Sequence, residues 1–246
     1  MQEYMYIYGI NAVKESLLNK NIKIKCLYVS ENSKLITEII TIAQKGHLPV
    51  KQVSKQTLLK LTNSEKTQNV VLEIYKPQYY SLEELAMKAH QKQHPFLLIL
   101  DQIFDPHNFG AILRTCDMFG VDGVIILDKR QVELNATVAK TSAGGFNYVP
   151  ICKINNLTNA VEYLKKQGYW IYATSLNDKA QRVNSLEYDT PIALILGNEG
   201  KGVSQKLLQH ADFNIFIPTN GHLDSLNVSV AAGILIYQIK NSQQQL

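Results

Sequence analysis

From residue 96 onward the chain repeats one unit, a short run of consecutive apolar residues followed by a helical segment. The runs lie at 96–100, 123–127, 170–174, 192–196 and 213–217, with a shorter one at 149–152. Runs this short and this continuous read as strands buried on both faces. Between them, helical patterns cover 108–119, closed by Gly120, and 157–166, ended by Gly168. A weakly helical stretch at 137–143 leads into Gly144-Gly145. Strands alternating with helices predict a parallel sheet with helices on both sides. The apolar content of 46% and charged content of 19% exclude disorder, collagen and coiled coil over most of the length.

The last helix, about 226–239, has only Asn227, Ser229 and Gln238 as polar residues. A helix apolar nearly all round is buried on all sides. Either it lies between the sheet and a second subunit, or it is an ordinary core helix of a monomer.

The N-terminal part alternates helices at 11–18, 35–43 and 56–61 with strands at 24–29, 50–53 and 70–74. This is a small α/β module without a plausible catalytic cluster. Pro77 breaks the pattern, and Ser81-Leu82-Glu83-Glu84 matches a helix capping box. The expected organisation is therefore a domain at 1–78, a linker at 79–95 and a domain at 96–246. Charge follows the same division. Residues 1–78 hold 11 basic and 6 acidic groups; residues 96–246 hold 12 and 13. The net +4 of the chain thus comes from its first third.

Cys26, Cys116 and Cys152 are odd in number and far apart, so neither a zinc site nor a disulfide framework is expected. Reduced thiols, the lack of a leader pattern in MQEYMYIYG and the lack of an apolar run near ~20 residues predict a cytoplasmic protein off the membrane. His107 and His222 have no ligand partner at helical spacing, and no metal is expected.

Three segments concentrate polar residues and glycines at the ends of apolar strands, where open α/β sheets bind ligands. The first, 101–115, carries Asn108, suited to cap the following helix, and Arg114. Arg114 is one of three arginines against 22 lysines. It reads either as a planar fork for phosphate or as a surface ion pair. The second, 195–204, holds Leu196, Gly197, Glu199, Gly200 and Gly202. Its spacing fits neither a Walker loop nor the dinucleotide fingerprint, which leaves a ligand-approaching loop or a plain turn. The third, 217–229, places Ser225, Asn227 and Ser229 on the first turn of the apolar helix. Capping by Asp224 or Ser225 accounts for one of these residues and leaves Asn227 unexplained.

Together and in this order the segments resemble the SpoU, or TrmH, class of RNA ribose 2′-O-methyltransferases, across residues 96–246. The matching positions are Asn108-x-Gly110-x3-Arg114-Thr115, then Leu196-Gly197-x-Glu199-Gly200-x-Gly202. Last comes Ile217-Pro218-x2-Gly221-x3-Ser225-Leu226-Asn227-Val228-Ser229. Tyr8-Gly9-Ile10-Asn11-Ala12-Val13 resembles the substrate-binding domain of the RlmB-like branch, an α/β fold shared with a small ribosomal protein. Thr67-Gln68-Asn69-Val70-Val71 departs from the His-Gln-Gly-Val-Val type of run expected there.

The resemblance implies a SPOUT trefoil-knotted parallel-sheet catalytic domain behind that small N-terminal domain. It implies S-adenosylmethionine as cofactor, held at Leu196, Gly197, Gly202, Ile217 and Leu226, largely through backbone groups. It implies Arg114, Asn108, Glu199, Ser225 and Asn227 at the reaction centre, with Ser142-Ala143-Gly144 near the substrate. It also implies a homodimer through the knotted domain.

The expected activity is methylation of a ribose 2′-hydroxyl in RNA, with a guanosine of 23S ribosomal RNA as the first reading and a tRNA as the second. A guanidinium has no acceptor while charged, so Arg114 is expected to hold phosphate rather than act as base. Glu199 or Asn108 is expected to orient Arg114 or the ribose. A catalytically silent RNA-binding relative is the reading from another class. A small-molecule methyltransferase would leave the lysine-rich first domain without a role.

Overall fold

The computed structural model describes residues 4–223 and 225–243, which form two compact units. The first contains residues 4–78 together with 133–148; the second contains the rest.

The first unit is built on a four-stranded sheet of β1 (Tyr4–Tyr8), β2 (Ile24–Val29), β3 (Val50–Gln52) and β4 (Val70–Tyr75), in the order β1-β4-β2-β3. β4 runs antiparallel to both neighbours, and β2 pairs parallel with β3. Three helices accompany it: α1 (Ile10–Leu18), α2 (Lys34–Lys45) and α3 (Lys55–Thr62). Ser33 and Ser54 cap α2 and α3 by accepting from the Ile36 and Thr57 amides. α1 lacks a local cap; the Gln68 Oε1 accepts from the Ile10 amide instead, at 2.9 Å. The departing run at 67–69 has a backbone reason. Gln68 and Asn69 have φ of 56° and 62°, the left-handed region. Asparagine is among the few residues other than glycine that visit it readily.

In the second unit, residues 79–95 contribute α4 (Leu82–Ala89), with the expected capping box between Ser81 and Glu84. β5 (Phe96–Asp101), α5 (Pro106–Met118) and β6 (Gly123–Leu127) follow. Next in sequence, α6 (Ala136–Thr141) and the short 3-10 turn Gly145–Asn147 belong to the first unit. There the Asn19 amide donates to the Asn147 carbonyl. The chain then continues through β7 (Ile151–Ile154), α7 (Leu157–Lys166), β8 (Trp170–Thr174), β9 (Gln181–Arg182), β10 (Ile192–Gly197), α8 (Gln205–His210), β11 (Phe213–Phe216) and α9 (Val228–Ser242).

The seven strands form one sheet in the order β7-β6-β5-β10-β8-β11-β9, and every pair is parallel. β5 and β10 lie side by side and are buried along their whole length. Their alternate residues face opposite layers. Leu97, Ile99, Ala193 and Ile195 pack with Leu85, Leu157, Val161, Leu164 and Leu207 from α4, α7 and α8. α5 and α9 pack together, burying Ile112, Leu113, Cys116, Ala232, Leu235 and Ile236.

Two expectations are corrected. α5 is capped by Asp105, which accepts from the His107 amide, with Pro106 at the first helical position; Asn108 lies inside the helix. α9 is not buried on all sides within one chain. Val230, Ile234 and Tyr237 are 50%, 40% and 50% exposed, and Met118 of α5 is 72% exposed. Spacings of four and three residues put the α9 members on one stripe. Among the described residues no helix is long and apolar enough to cross a membrane.

Cys26, Cys116 and Cys152 are free and buried. Burial pushes all three thiols up, Cys152 to about 12, with Glu83 and Glu84 adding to it. At pH 8 a thiol with that pKa is thiolate in only about one molecule in ten thousand. An aromatic disulfide reagent is therefore expected to label the native protein slowly and all three thiols at once in urea. Rapid labelling of the native protein at pH 8 would contradict this.

Candidate functional site

Parallel strands expose their carboxyl ends along one edge of the sheet, and the polar loops collect there. β5 ends at Asp101 and β10 at Gly197, opposite each other in register. Gly197 has no room for a side chain: a Cβ there would overlap the backbone of Gly202 and the Val203 amide. The loop after it is closed by paired backbone bonds between Asn198 and Gly202. Gly202 makes the return with φ of 67°.

Two residues that sequence reasoning passed over secure this loop. The Asn198 Oδ1 accepts from the Gly200 and Lys201 amides, and its Nδ2 donates to the Gln102 carbonyl. The buried Asp101 carboxylate accepts from the Ser204 amide at 2.9 Å. An asparagine opening a glycine-rich turn was the available signal for the first. Asp101 gave none beyond being a lone charge at the end of an apolar run.

The loop delivers Glu199 to two asparagines from distant segments. Asn108 Nδ2 donates to Glu199 Oε1 at 2.6 Å. Asn227 Nδ2 donates to the same oxygen at 2.6 Å and to Asn108 Oδ1 at 3.1 Å. Asn227 Oδ1 faces the other way and caps α9, accepting from the Ser229 and Val230 amides and the Ser229 hydroxyl. This explains the asparagine that capping by Asp224 or Ser225 could not. Asp224 lies outside the described residues, and Ser225 is exposed ahead of the helix. Amide donors on a carboxylate are among the stronger hydrogen bonds, and two on one oxygen fix its position.

Arg114 stands apart from this cluster. It is six residues beyond Asn108, about 120° round the helix. It shares the exposed face of α5 with His107 and Met118, and none of the described residues accepts a hydrogen bond from it. Glu199 and Asn108 therefore orient each other and Asn227, not Arg114. The expected cofactor positions lie on the same sheet edge. Leu196 and Gly197 are buried at the end of β10, Ile217 is half-buried just after β11, and Leu226 is exposed just before α9. No cluster of three or more His, Cys, Asp or Glu among the described residues could hold a metal ion.

Replacing Asn227 by alanine removes a helix cap and two bonds to the cluster. A loss of roughly 1–3 kcal/mol is expected, read as a lower urea midpoint with unchanged slope. An unchanged midpoint would show that the cluster contributes nothing to stability.

Residues 95–237 match the family model of the SpoU rRNA methylase family, and residues 6–80 match the model for RNA 2′-O ribose methyltransferase substrate binding. A Bacillus subtilis protein named for the TrmH family of tRNA/rRNA methyltransferases is 34% identical over 97% of this chain and 96% of its own. An AdoMet-bound rRNA methyltransferase from Sinorhizobium meliloti has the same fold, with a TM-score of 0.81 at 23% identity, covering 97% of this chain and 87% of that one. A TrmH/SpoU tRNA modifying enzyme of A. aeolicus is 32% identical, with a TM-score of 0.57, over 66% of this chain and 82% of its own. The family model spans more than half of the chain and the Bacillus subtilis relative nearly all of it, so this chain belongs to the SpoU/TrmH family of RNA methyltransferases.

Proposed function

We propose that the chain methylates a ribose 2′-hydroxyl of RNA with S-adenosylmethionine, the target being a guanosine of 23S ribosomal RNA, and that it works in the cytoplasm as a homodimer. The observation that carries the reading is the joining of Asn108, Glu199 and Asn227 at the carboxyl edge of the parallel sheet. Three polar segments far apart in sequence meet there.

The residues present fit the cofactor. Gly197 lets the loop close onto the strand end, which brings the backbone of 196–197 and 202–203 together as main-chain partners for an adenine. Ile217 and Leu226 present apolar surface beside it. The cofactor, when bound in the knotted end of the domain, supplies the sulfonium methyl as electrophile.

The remaining work falls to the protein. The chain must hold the ribose hydroxyl in line and ease its deprotonation. Glu199, fixed by two amides, is a rigid wall of the site. Ser225, two residues before Asn227, is exposed and able to bond the ribose. Arg114 grips the phosphate next to the target and lowers the hydroxyl pKa through its charge. The lysine excess of residues 1–78 draws RNA through phosphate contacts that carry little sequence information. The substrate-binding match at 6–80 supports an RNA substrate, and the RlmB-like resemblance of that domain tilts the reading toward ribosomal RNA. A second copy would cover the stripe of Val230, Ile234 and Tyr237 on α9, which a solvated helix normally fills with polar residues.

Mapping 2′-O-methyl groups in RNA from cells with and without the gene is expected to show loss at one 23S position. Loss in tRNA instead would select the second reading, and no loss anywhere would favour a silent RNA-binding relative. Arg114→Lys keeps the charge and loses the fork; its single-turnover rate is expected to fall by on the order of 10²-fold. A near-normal rate would remove the positioning role.

The dimer has its own measurement. Light scattering after size exclusion is expected to give twice the chain mass for the wild type and a monomer for the Ile234→Lys, Tyr237→Lys variant. A wild-type monomer would end the dimer reading.

A further inference from the structure

The sheet of the first unit has two unlike faces. Register places Met5 opposite Ile74 and Ile7 opposite Leu72, with Leu27 also opposite Leu72. These residues are buried and form the face under α1 and α2. The other face carries Tyr4 opposite Tyr75, and Tyr6 opposite Glu73. β2 and β3 extend it with Tyr28 opposite Lys51. α3 and α6 cover one end of this face: Leu58 packs on Tyr8 and Val71, and Ala136, Tyr6 and Tyr28 pack against them. Toward the other end the rings reach solvent: Tyr75 is 41% exposed, and Tyr4, Tyr6 and Tyr28 are partly so.

A solvated sheet face ordinarily fills with threonine, lysine and glutamate, and four tyrosines are a large unrecovered apolar area. Two lysines stand among the rings. Lys25 Nζ lies 3.7 Å from the Tyr4 ring centre, and Lys51 Nζ lies 5.9 Å from that of Tyr28. Glu73 sits at the centre of the face, and its charge is absorbed locally. Lys25 pairs with it at 2.9 Å, and the Tyr28 hydroxyl donates to it at 2.8 Å. Its side chain is buried beneath the tyrosines, so the solvent-facing layer is aromatic and cationic.

We infer that this tyrosine-lined face binds a single-stranded RNA segment by base stacking, with Lys51 and the Lys25 edge meeting its phosphates. The inference rests on the RNA-modifying reading and names a surface for it. Every base has a π-face, so stacking on tyrosine holds single strands with little sequence preference. A duplex offers no unstacked base and would bind this face poorly. The basic balance of residues 1–78, 11 against 6, supplies the charge complementarity.

The test uses the full-length protein and a short fluorescein-labelled single-stranded oligoribonucleotide of mixed sequence, followed by anisotropy at fixed salt. The Tyr4→Leu, Tyr75→Leu variant is expected to bind about tenfold more weakly. Tyr75→Phe, which keeps the ring, is expected to bind like wild type. Lys51→Gln is expected to reduce the slope of log affinity against log salt by about one. Ultraviolet cross-links are expected on peptides of β1 and β4. Circular dichroism and a thermal melt of each variant show that the fold is kept.

Unchanged affinity in a folded leucine variant, or equal binding of a duplex, would overturn the inference. Methyl transfer to total RNA, read on the same preparations, separates it from the proposed reaction. Wild-type transfer with an unaltered KM for RNA in the leucine variant would sink the stacking face alone. Ring-dependent binding without any transfer would leave the face standing and remove the reaction.

Discussion

Two amide groups converging on one carboxylate oxygen tie three distant segments together at the carboxyl edge of the second unit's sheet. Glu199 Oε1 takes hydrogens from Asn108 on α5 and from Asn227 ahead of α9. Asn108 gives one amide hydrogen to Glu199 and accepts from Asn227. Asn227 spends its nitrogen on Glu199 and Asn108 and its oxygen on the start of α9. The position of a helix, the shape of a loop and the orientation of a carboxylate are thereby one constraint. Removing any member breaks two of the three bonds and leaves the remaining pair joined by one; the buried Asn108 has the least access to water as a substitute.

The constraint depends in turn on backbone geometry. Glu199 reaches the asparagines because the loop after β10 folds tightly against the end of its own strand. Only the bare Cα of Gly197 permits that approach. Asn198 and Asp101 fasten the loop from beneath, one through the Gln102 carbonyl and one through the Ser204 amide. β5 and β10 are buried on both faces, so their side chains are committed to packing. Chemistry is left to the strand ends, which is the general rule for open parallel sheets.

The two units divide the physical labour. The second sets a nearly neutral composition around a deeply buried sheet, with Arg114 as an exposed charge on α5 near its polar edge. The first is small and basic, and its sheet has one face under helices and one face of tyrosines. The second face is only partly covered, and its open part is lined by tyrosines.

Periodicity by itself determined most of the elements. Buried parallel strands must be apolar throughout, so β5, β6, β8, β10 and β11 were legible as runs, and Gly120 and Gly168 marked helix ends. Local patterns failed where the deciding partner is remote. β1 alternates tyrosines with Met5 and Ile7, which looks polar-aromatic until β4 lies beside it. β9 is two polar residues, a strand only because β11 supplies the hydrogen bonds. α6 joins the first unit although it follows β6 of the second. The motif residues were legible as a set, but their geometry was not. Asn108 reads as a cap and is instead a buried donor, while Asp105 does the capping. Arg114 reads as a companion of Glu199 and instead faces outward, because six residues of helix turn it away. Sequence spacing decides which face of a helix a residue occupies. Only the packed tertiary structure decides what that face meets, since hydrogen bonds across 91 and 119 residues leave no local trace.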